Sequence, residues 1–206
     1  SGEVALPEQV ASIRSFLRHV GRPTMFNVVS DGTYSKSSRR LLREIDPCIS
    51  VRDVADWMPE NLPEEIYPYL KNHPTGRQLA LIMSLPLKAP VLYLDSDILF
   101  FAGAADLHAQ AKRHDIPAIY LADCRFSGDE RLLHGPNEST DPVNTGFLLL
   151  FQKLDWSLSV QRFLEMKGAP TFFTNQTMTH LTMHANRAAP FDPRKYVLQL
   201  DDQFVY

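Results

Sequence analysis

Val91-Leu92-Tyr93-Leu94-Asp95-Ser96-Asp97-Ile98-Leu99-Phe100-Phe101 sets two carboxylates at i and i+2 within an otherwise apolar run. An ionised carboxylate taken out of water without a partner is costly or gives up its charge, so the pattern predicts a cation beside Asp95 and Asp97. Hard oxygen ligands on a short turn suit Mn²⁺ or Mg²⁺, which keep waters and accept phosphate oxygens in the rest of their coordination shell. A metal held there can bridge a diphosphate and neutralise its charge as it leaves. Spacing alone equally allows a D-S-D turn that merely caps a strand, so the surrounding chain has to decide between the two.

Upstream, Thr75 to Leu85 has helical spacing with Thr75 as the expected cap, and Pro86 and Pro90 end it before the strand Val91 to Leu94. Met25 to Ser30 is a short β-branched strand running into the turn Asp31-Gly32-Thr33, flanked by helices at Pro7 to Val20 and Ser35 to Ile45. Cys48 to Val51 follows as a second strand. Downstream, the chain reads as helix from Ala104 to His114, strand from Ala118 to Ala122, polar loop from Arg125 to Pro142 and strand from Thr145 to Phe151. Helices near Trp156 to Lys167 and Asn175 to Ala185 complete the pattern. Strands apolar on both faces and separated by helices indicate an α/β fold, with a mostly parallel central sheet flanked by helices on both faces. Ligands in such sheets sit beyond the carboxyl ends of the strands, which selects Ser30 to Thr33, Asp95 to Asp97 and Asp123 to Arg125.

The 206 residues suffice for one domain, expected over 1–206, and would bury roughly 70% of the surface the unfolded chain exposes. With 21 basic against 24 acidic residues there is no polycation to neutralise a run of phosphates, so nucleic acid is not an expected partner. No apolar run nears the roughly 20 residues a membrane-spanning helix needs, so no integral membrane segment is expected. Ser1-Gly2-Glu3 has no signal-peptide pattern, and Cys48 and Cys124 form no pairing motif, so the sequence favours a cytoplasmic location.

The segment Leu92 to Phe100 resembles the D-x-D region of GT-A-fold glycosyltransferases that use nucleotide-diphospho-sugars, in particular the glycogenin-like retaining group. Other features agree in order: Ser84-Leu85 before the strand, Asp123 after the next one, Val143-Asn144-Thr145-Gly146-Phe147 near the group's N-S-G, and Asn175-Gln176-Thr177 near its D-Q-G. The likeness runs from about Met25 to Leu200. It implies transfer of a hexose from a nucleotide-diphosphate donor, a UDP-sugar, with retention of configuration and a divalent metal, Mn²⁺ or Mg²⁺. By position, Asp95 and Asp97 would hold the metal, and Ser30, Asp31, Gly32, Thr33 and Ser96 would contact the donor. Asp123, Asn144, Asn175 and Gln176 would line the sugar and the reacting centre. The acceptor, whether glycan, lipid, protein or small molecule, is not specified.

The chain also departs from that group. Asn175 stands where the group has an aspartate, Leu79 falls where it has a basic residue with Arg77 nearby as the substitute phosphate ligand, and no histidine follows His184 to match its later metal ligand. That histidine lies beyond this chain or the metal site is weaker. Two further readings stay open: a sugar-nucleotide-binding domain without turnover, and a haloacid-dehalogenase-like phosphatase, which also uses D-x-D. His180 and His184 have a zinc-like i, i+4 spacing without the glutamate of H-E-x-x-H, and read as ordinary helix histidines. Asp201-Asp202 reads as a solvated pair or second-site carboxylates, and Trp57 and Trp156 as packing residues.

Overall fold

The computed structural model describes residues 1–113 and 115–198. In chain order the regular elements are α1 (Leu6–His19), β1 (Phe26–Ser30), α2 (Lys36–Ile45), β2 (Ile49–Asp53), α3 (Tyr67–Asn72), α4 (Pro74–Met83) and β3 (Val91–Leu94). They continue with α5 (Leu107–Gln110), β4 (Ala118–Ala122), β5 (Val143–Leu150), α6 (Ser157–Glu165), α7 (Thr174–Ala185) and β6 (Ala189–Pro190), with single-turn helices between. The sequence-predicted pair Asp201-Asp202 lies outside the described residues. The chain divides into two compact units: Ser1–Trp57 with Leu94–Arg113, and Met58–Tyr93 with the described part of His114–Tyr206.

In the first unit β1 and β2 pair in parallel, Phe26 opposite Ile49 and Ser30 opposite Asp53, joined through α2. Ser35 caps α2, its Oγ accepting from the Ser38 amide at 3.1 Å. Ile13, Phe16, Val28, Leu42, Val51 and Leu107 form the core. Phe16 packs edge-on against Phe26 and Phe100, at 5.5 and 5.1 Å between ring centres. The segment after the two carboxylates is tied down as well: the Phe100 amide donates to Ser15 Oγ at 3.1 Å, and His108 Nε2 meets the Val20 carbonyl at 2.6 Å.

In the second unit the strand order is β3-β5-β4-β6. The α/β class holds, with one correction to the expected parallel pairing: β4 and β5 run antiparallel, while β4 and β6 are parallel. The reason lies in the connection. The loop from Asp123 to Pro142 contains only single-turn helices and returns to the end from which it left, closed by the Asp123 amide on the Pro142 carbonyl at 2.8 Å. A parallel neighbour needs a crossover that carries the chain back to the opposite end. The helix expected over Ala104 to His114 is likewise shorter, a single turn leading into α5. Helix α7 is buried along almost its whole length, from Thr174 to Met183 apart from Gln176.

Thr75 does not cap α4 as expected. His73 holds the N-cap position, and the Thr75 hydroxyl bonds the Tyr69 hydroxyl at 3.1 Å and His73 Nδ1 at 3.0 Å. Helices α3 and α4 meet closely at Gly76, where a Cβ would overlap the backbone carbonyl of Tyr69. Backbone cannot swing aside as a flexible side chain can, so Gly76→Ala is expected to lower stability by about 1–3 kcal/mol in chemical denaturation. Gly135→Ala, where nothing stands within 4 Å of the added carbon, should change it by less than about 0.5 kcal/mol.

Candidate active site

In the first unit, β1 ends at Ser30, which is fully buried and accepts at Oγ from the Gly32 amide at 3.0 Å and from Arg39 at 3.4 Å. Asp31 Oδ1 then accepts from the Thr33 amide at 2.9 Å and the Thr33 hydroxyl at 2.7 Å, a side-chain-closed turn around Gly32 at φ +100°. Arg39 spends its charge on Asp53. Burial lowers the pKa of the Ser1 amino group, against the opposing pull of Asp31 first and Asp95 second.

The expectation that the paired carboxylates are buried needs correction. Asp97 is exposed, and Asp95 and Ser96 are half-buried. β3 ends a sheet, and beyond it Leu99 and Phe101 come to the surface, 51% and 64% exposed, on either side of the buried Phe100. Desolvation thus does not by itself demand a cation. Among the described residues no group of three or more His, Cys, Asp or Glu side chains is arranged to hold a metal. Two carboxylates on one turn, one of them open to water, do fit a hard divalent ion that takes its remaining ligands from waters and phosphate oxygens.

In the second unit the structure brings together three of the sequence-selected residues. Asp123 Oδ2, at the end of β4, accepts from Asn144 Nδ2 at 3.4 Å and Gln176 Nε2 at 3.3 Å. Asn144 is aimed by a bulge: pairing passes from Tyr120–Leu148 to Leu121–Asn144, leaving Thr145, Gly146 and Phe147 of β5 unmatched. Its Oδ1 accepts from the Gly146 amide at 2.8 Å, which leaves Nδ2 for the carboxylate. Gln176 also donates to the Ser127 carbonyl at 2.9 Å.

Asn175, one residue earlier on α7, is 5% exposed and donates through Nδ2 to Gln78 Oε1 at 2.7 Å. Gln78 Nε2 in turn donates to the Tyr93 hydroxyl at 2.8 Å. Sequence reasoning missed both partners. The α4 residue that faces Asn175 is Gln78, whereas Leu79 is fully buried in the core. Arg77 is not brought into this cluster, since its Nε donates to the Lys71 carbonyl at 2.8 Å at the end of α3.

A second missed group fixes the loop that carries Asp123. Asp129, whose side chain is 4% exposed, accepts from Arg131 Nε and Nη2 at 2.7 and 2.6 Å and from Thr174 Oγ1 at 2.8 Å. Gly128 lets the loop approach α7, because a Cβ there would overlap the Thr177 hydroxyl. His180 and His184 serve the same loop, with Nε2 atoms against the carbonyls of Glu138 at 2.6 Å and Asp141 at 3.0 Å. Trp156 is buried packing, and neither Cys48 nor Cys124 is in a disulfide.

No family model matches the chain, and no curated protein sequence matches it. Solved structures do. Mouse xyloside xylosyltransferase 1 in its apo form superposes with a TM-score of 0.60 at 13% identity, over 93% of this chain and 81% of that one. The galactosyltransferase LgtC with donor and acceptor sugar analogues gives 0.59 at 17% identity, over 92% and 70%. An active-site glutamine-to-glutamate mutant of LgtC gives 0.56 at 18%, over 92% and 70%.

Arg131 and the hydroxyl of Thr174 hold the Asp129 carboxyl below its ordinary pKa of 3.8, the arginine being the larger influence. A depressed carboxyl contributes stability above its unfolded pKa and loses it as pH falls through the folded one. Asp129→Asn is expected to cost about 2 kcal/mol near neutrality. In denaturation series from pH 7 to pH 2, the gap between wild type and variant should stay constant down to about pH 4 and close below it.

Proposed function

The fold is the GT-A fold of nucleotide-sugar glycosyltransferases, and from it we propose that the chain is a metal-dependent glycosyltransferase moving a hexose from a nucleotide-diphosphate donor, with UDP as the nucleotide, to an acceptor with retention of configuration. The observation that carries this reading is the meeting of Asp123, Asn144 and Gln176 beside the β5 bulge. The neighbours are transferases, one of them in complex with donor and acceptor sugar analogues and one altered at an active-site glutamine. Gln176 is assigned the corresponding place here.

Ser30, Asp31, Gly32 and Thr33 take the nucleotide, and Asp95 and Asp97, with Ser96 between them, hold the Mn²⁺ or Mg²⁺ and the diphosphate. When bound, the ion supplies Lewis-acid stabilisation of the departing diphosphate. Asp123 is kept ready by two amide donors to meet the positive charge that grows at the anomeric carbon. Asn175 adds a dipole in place of a charge. Arg77, whose Nε holds the Lys71 carbonyl, keeps its terminal NH₂ groups as the substitute phosphate ligand of this reading. The phosphatase alternative requires the first aspartate to follow the first strand of its fold, whereas Asp95 follows β3.

A second reading, a sugar-nucleotide-binding domain without turnover, is favoured by one observation: α7 has no acidic residue in its first turn. Donor hydrolysis and transfer measured separately from binding decide between the two. In a thermal-shift panel of nucleotide sugars with Mn²⁺, donor at 100 times its dissociation constant should stabilise the protein by about 2.7 kcal/mol. Asp97→Asn or chelation should abolish that shift, and an undiminished shift in either case would remove the metal from the proposal. Asp123→Asn should lower kcat on the order of 10²-fold, and unchanged turnover would place the reacting centre elsewhere.

A further inference from the structure

We infer that Gln78 is a positioning residue that sets which end of the Asn175 amide faces the reacting sugar, an inference that rests on the glycosyltransferase reading above. Three side chains from three elements form a ladder: Asn175 of α7 donates to Gln78 of α4, and Gln78 donates to Tyr93 of β3. An amide has a donor end and an acceptor end, so a bond made by one end determines what the other end presents. With Nδ2 spent on Gln78, Asn175 presents Oδ1, which makes no hydrogen bond to any described residue. That carbonyl oxygen is the one atom of Asn175 able to stabilise a growing positive charge.

The same three groups could bond in the opposite sense. Tyr93 would donate to Gln78 Oε1, Gln78 Nε2 would donate to Asn175 Oδ1, and Asn175 would present Nδ2. A donor in that position would oppose an electron-poor sugar carbon, so the sense of the ladder is a catalytic variable. Gln78 is the hinge of that choice because it bonds both Asn175 and Tyr93. Its backbone is held in place: Leu79 and Ala80 next to it are fully buried, and Gly76 locks α4 against the Tyr69 carbonyl.

The resemblance sharpens the point. Where the group this chain resembles has an aspartate, this chain has Asn175, and where that group has a basic residue on the helix before D-x-D, this chain has Leu79, so the α4 side chain that meets Asn175 is the neutral amide of Gln78. A carboxylate at 175 would face the Oε1 of Gln78, whereas an amide donates to it.

Substitutions at position 78 can pin each sense. Gln78→Glu offers only acceptors, so Asn175 Nδ2 and the Tyr93 hydroxyl both donate to it and Oδ1 stays presented. Gln78→Lys offers only donors, takes Asn175 Oδ1 and turns Nδ2 outward. Gln78→Met keeps the approximate volume and removes both bonds. Two readouts are needed, kinetics with the best donor of the panel and the Asn175 side-chain NH₂ resonances of ¹⁵N-labelled protein, which report hydrogen bonding without any turnover.

Gln78→Glu should keep kcat at or above about one third of wild type, while Gln78→Lys should lower it on the order of 10²-fold with donor KM within about threefold. The Asn175 NH₂ protons should be protected from exchange in wild type and Gln78→Glu and unprotected in Gln78→Lys and Gln78→Met. Equal protection in wild type and Gln78→Met would overturn the ladder itself. Protection that changes as expected while Gln78→Lys turns over like wild type would overturn its role in the reaction. Absence of turnover by wild-type protein with every donor would instead overturn the glycosyltransferase reading, leaving the resonance test of the ladder intact.

Discussion

The Asp129 carboxylate accepts from the Nε and Nη2 of Arg131 and from Thr174 while almost none of it meets water. A buried charge is tolerated only when its lone pairs are met this completely. The cluster reaches further, since Arg131 also donates to the carbonyls of Lys167 and Ala169 and the Asp129 amide donates to Thr177 Oγ1 at 2.6 Å. One carboxylate thus fastens the loop after β4 to the segment before α7. Asp123 and Gln176 sit at the two ends so fastened, and their contact is a product of that fixation.

The cluster around Asp123 is built mainly from amides. Asn144 and Gln176 supply NH₂ groups to the carboxylate, and each is aimed by a second bond, Asn144 through the Gly146 amide and Gln176 through the Ser127 carbonyl. Neutral donors orient a carboxylate, and unlike a lysine or arginine they bring no opposite charge to cancel its own. Such a carboxylate retains its capacity to stabilise a cationic centre. The two histidines of α7 contribute through backbone carbonyls of the same loop, which accounts for their i, i+4 spacing without any metal.

Local chemistry is what the sequence made legible. The strand after the Asp123 position matches at Val143 within two residues of the expected start, the Asp31-Gly32-Thr33 turn forms as its residue types imply, and Ser35 caps α2. The α/β class followed from apolar strands between helices. Strand direction did not, because the run from Thr145 to Phe151 is apolar on both faces and reads the same whichever way it pairs. The exposure of Asp97 was hidden for a related reason: Leu99 and Phe101 look like core in sequence and lie at the surface. Asp129, Arg131, Gln78 and Tyr93 were illegible because each acts through partners far away in the chain, and a polar residue in a loop or on a helix ordinarily reads as solvated surface.

Nothing in the backbone of α7 explains why position 175 is an amide. The first turn of a helix carries partial positive charge from its aligned peptide dipoles, and an acidic side chain there is stabilised. An aspartate would be favoured by the helix itself, and Asp129 already takes advantage of the same end through the Thr174 hydroxyl. What disfavours a carboxylate at 175 is its neighbour on α4. Gln78 turns a carbonyl oxygen toward the position while its NH₂ group is engaged by Tyr93. A carboxylate would meet that oxygen with like polarity, and reversing Gln78 would require Tyr93 to exchange the role of acceptor for donor. The amide at 175 thus matches the carbonyl oxygen that Gln78 turns toward it from α4.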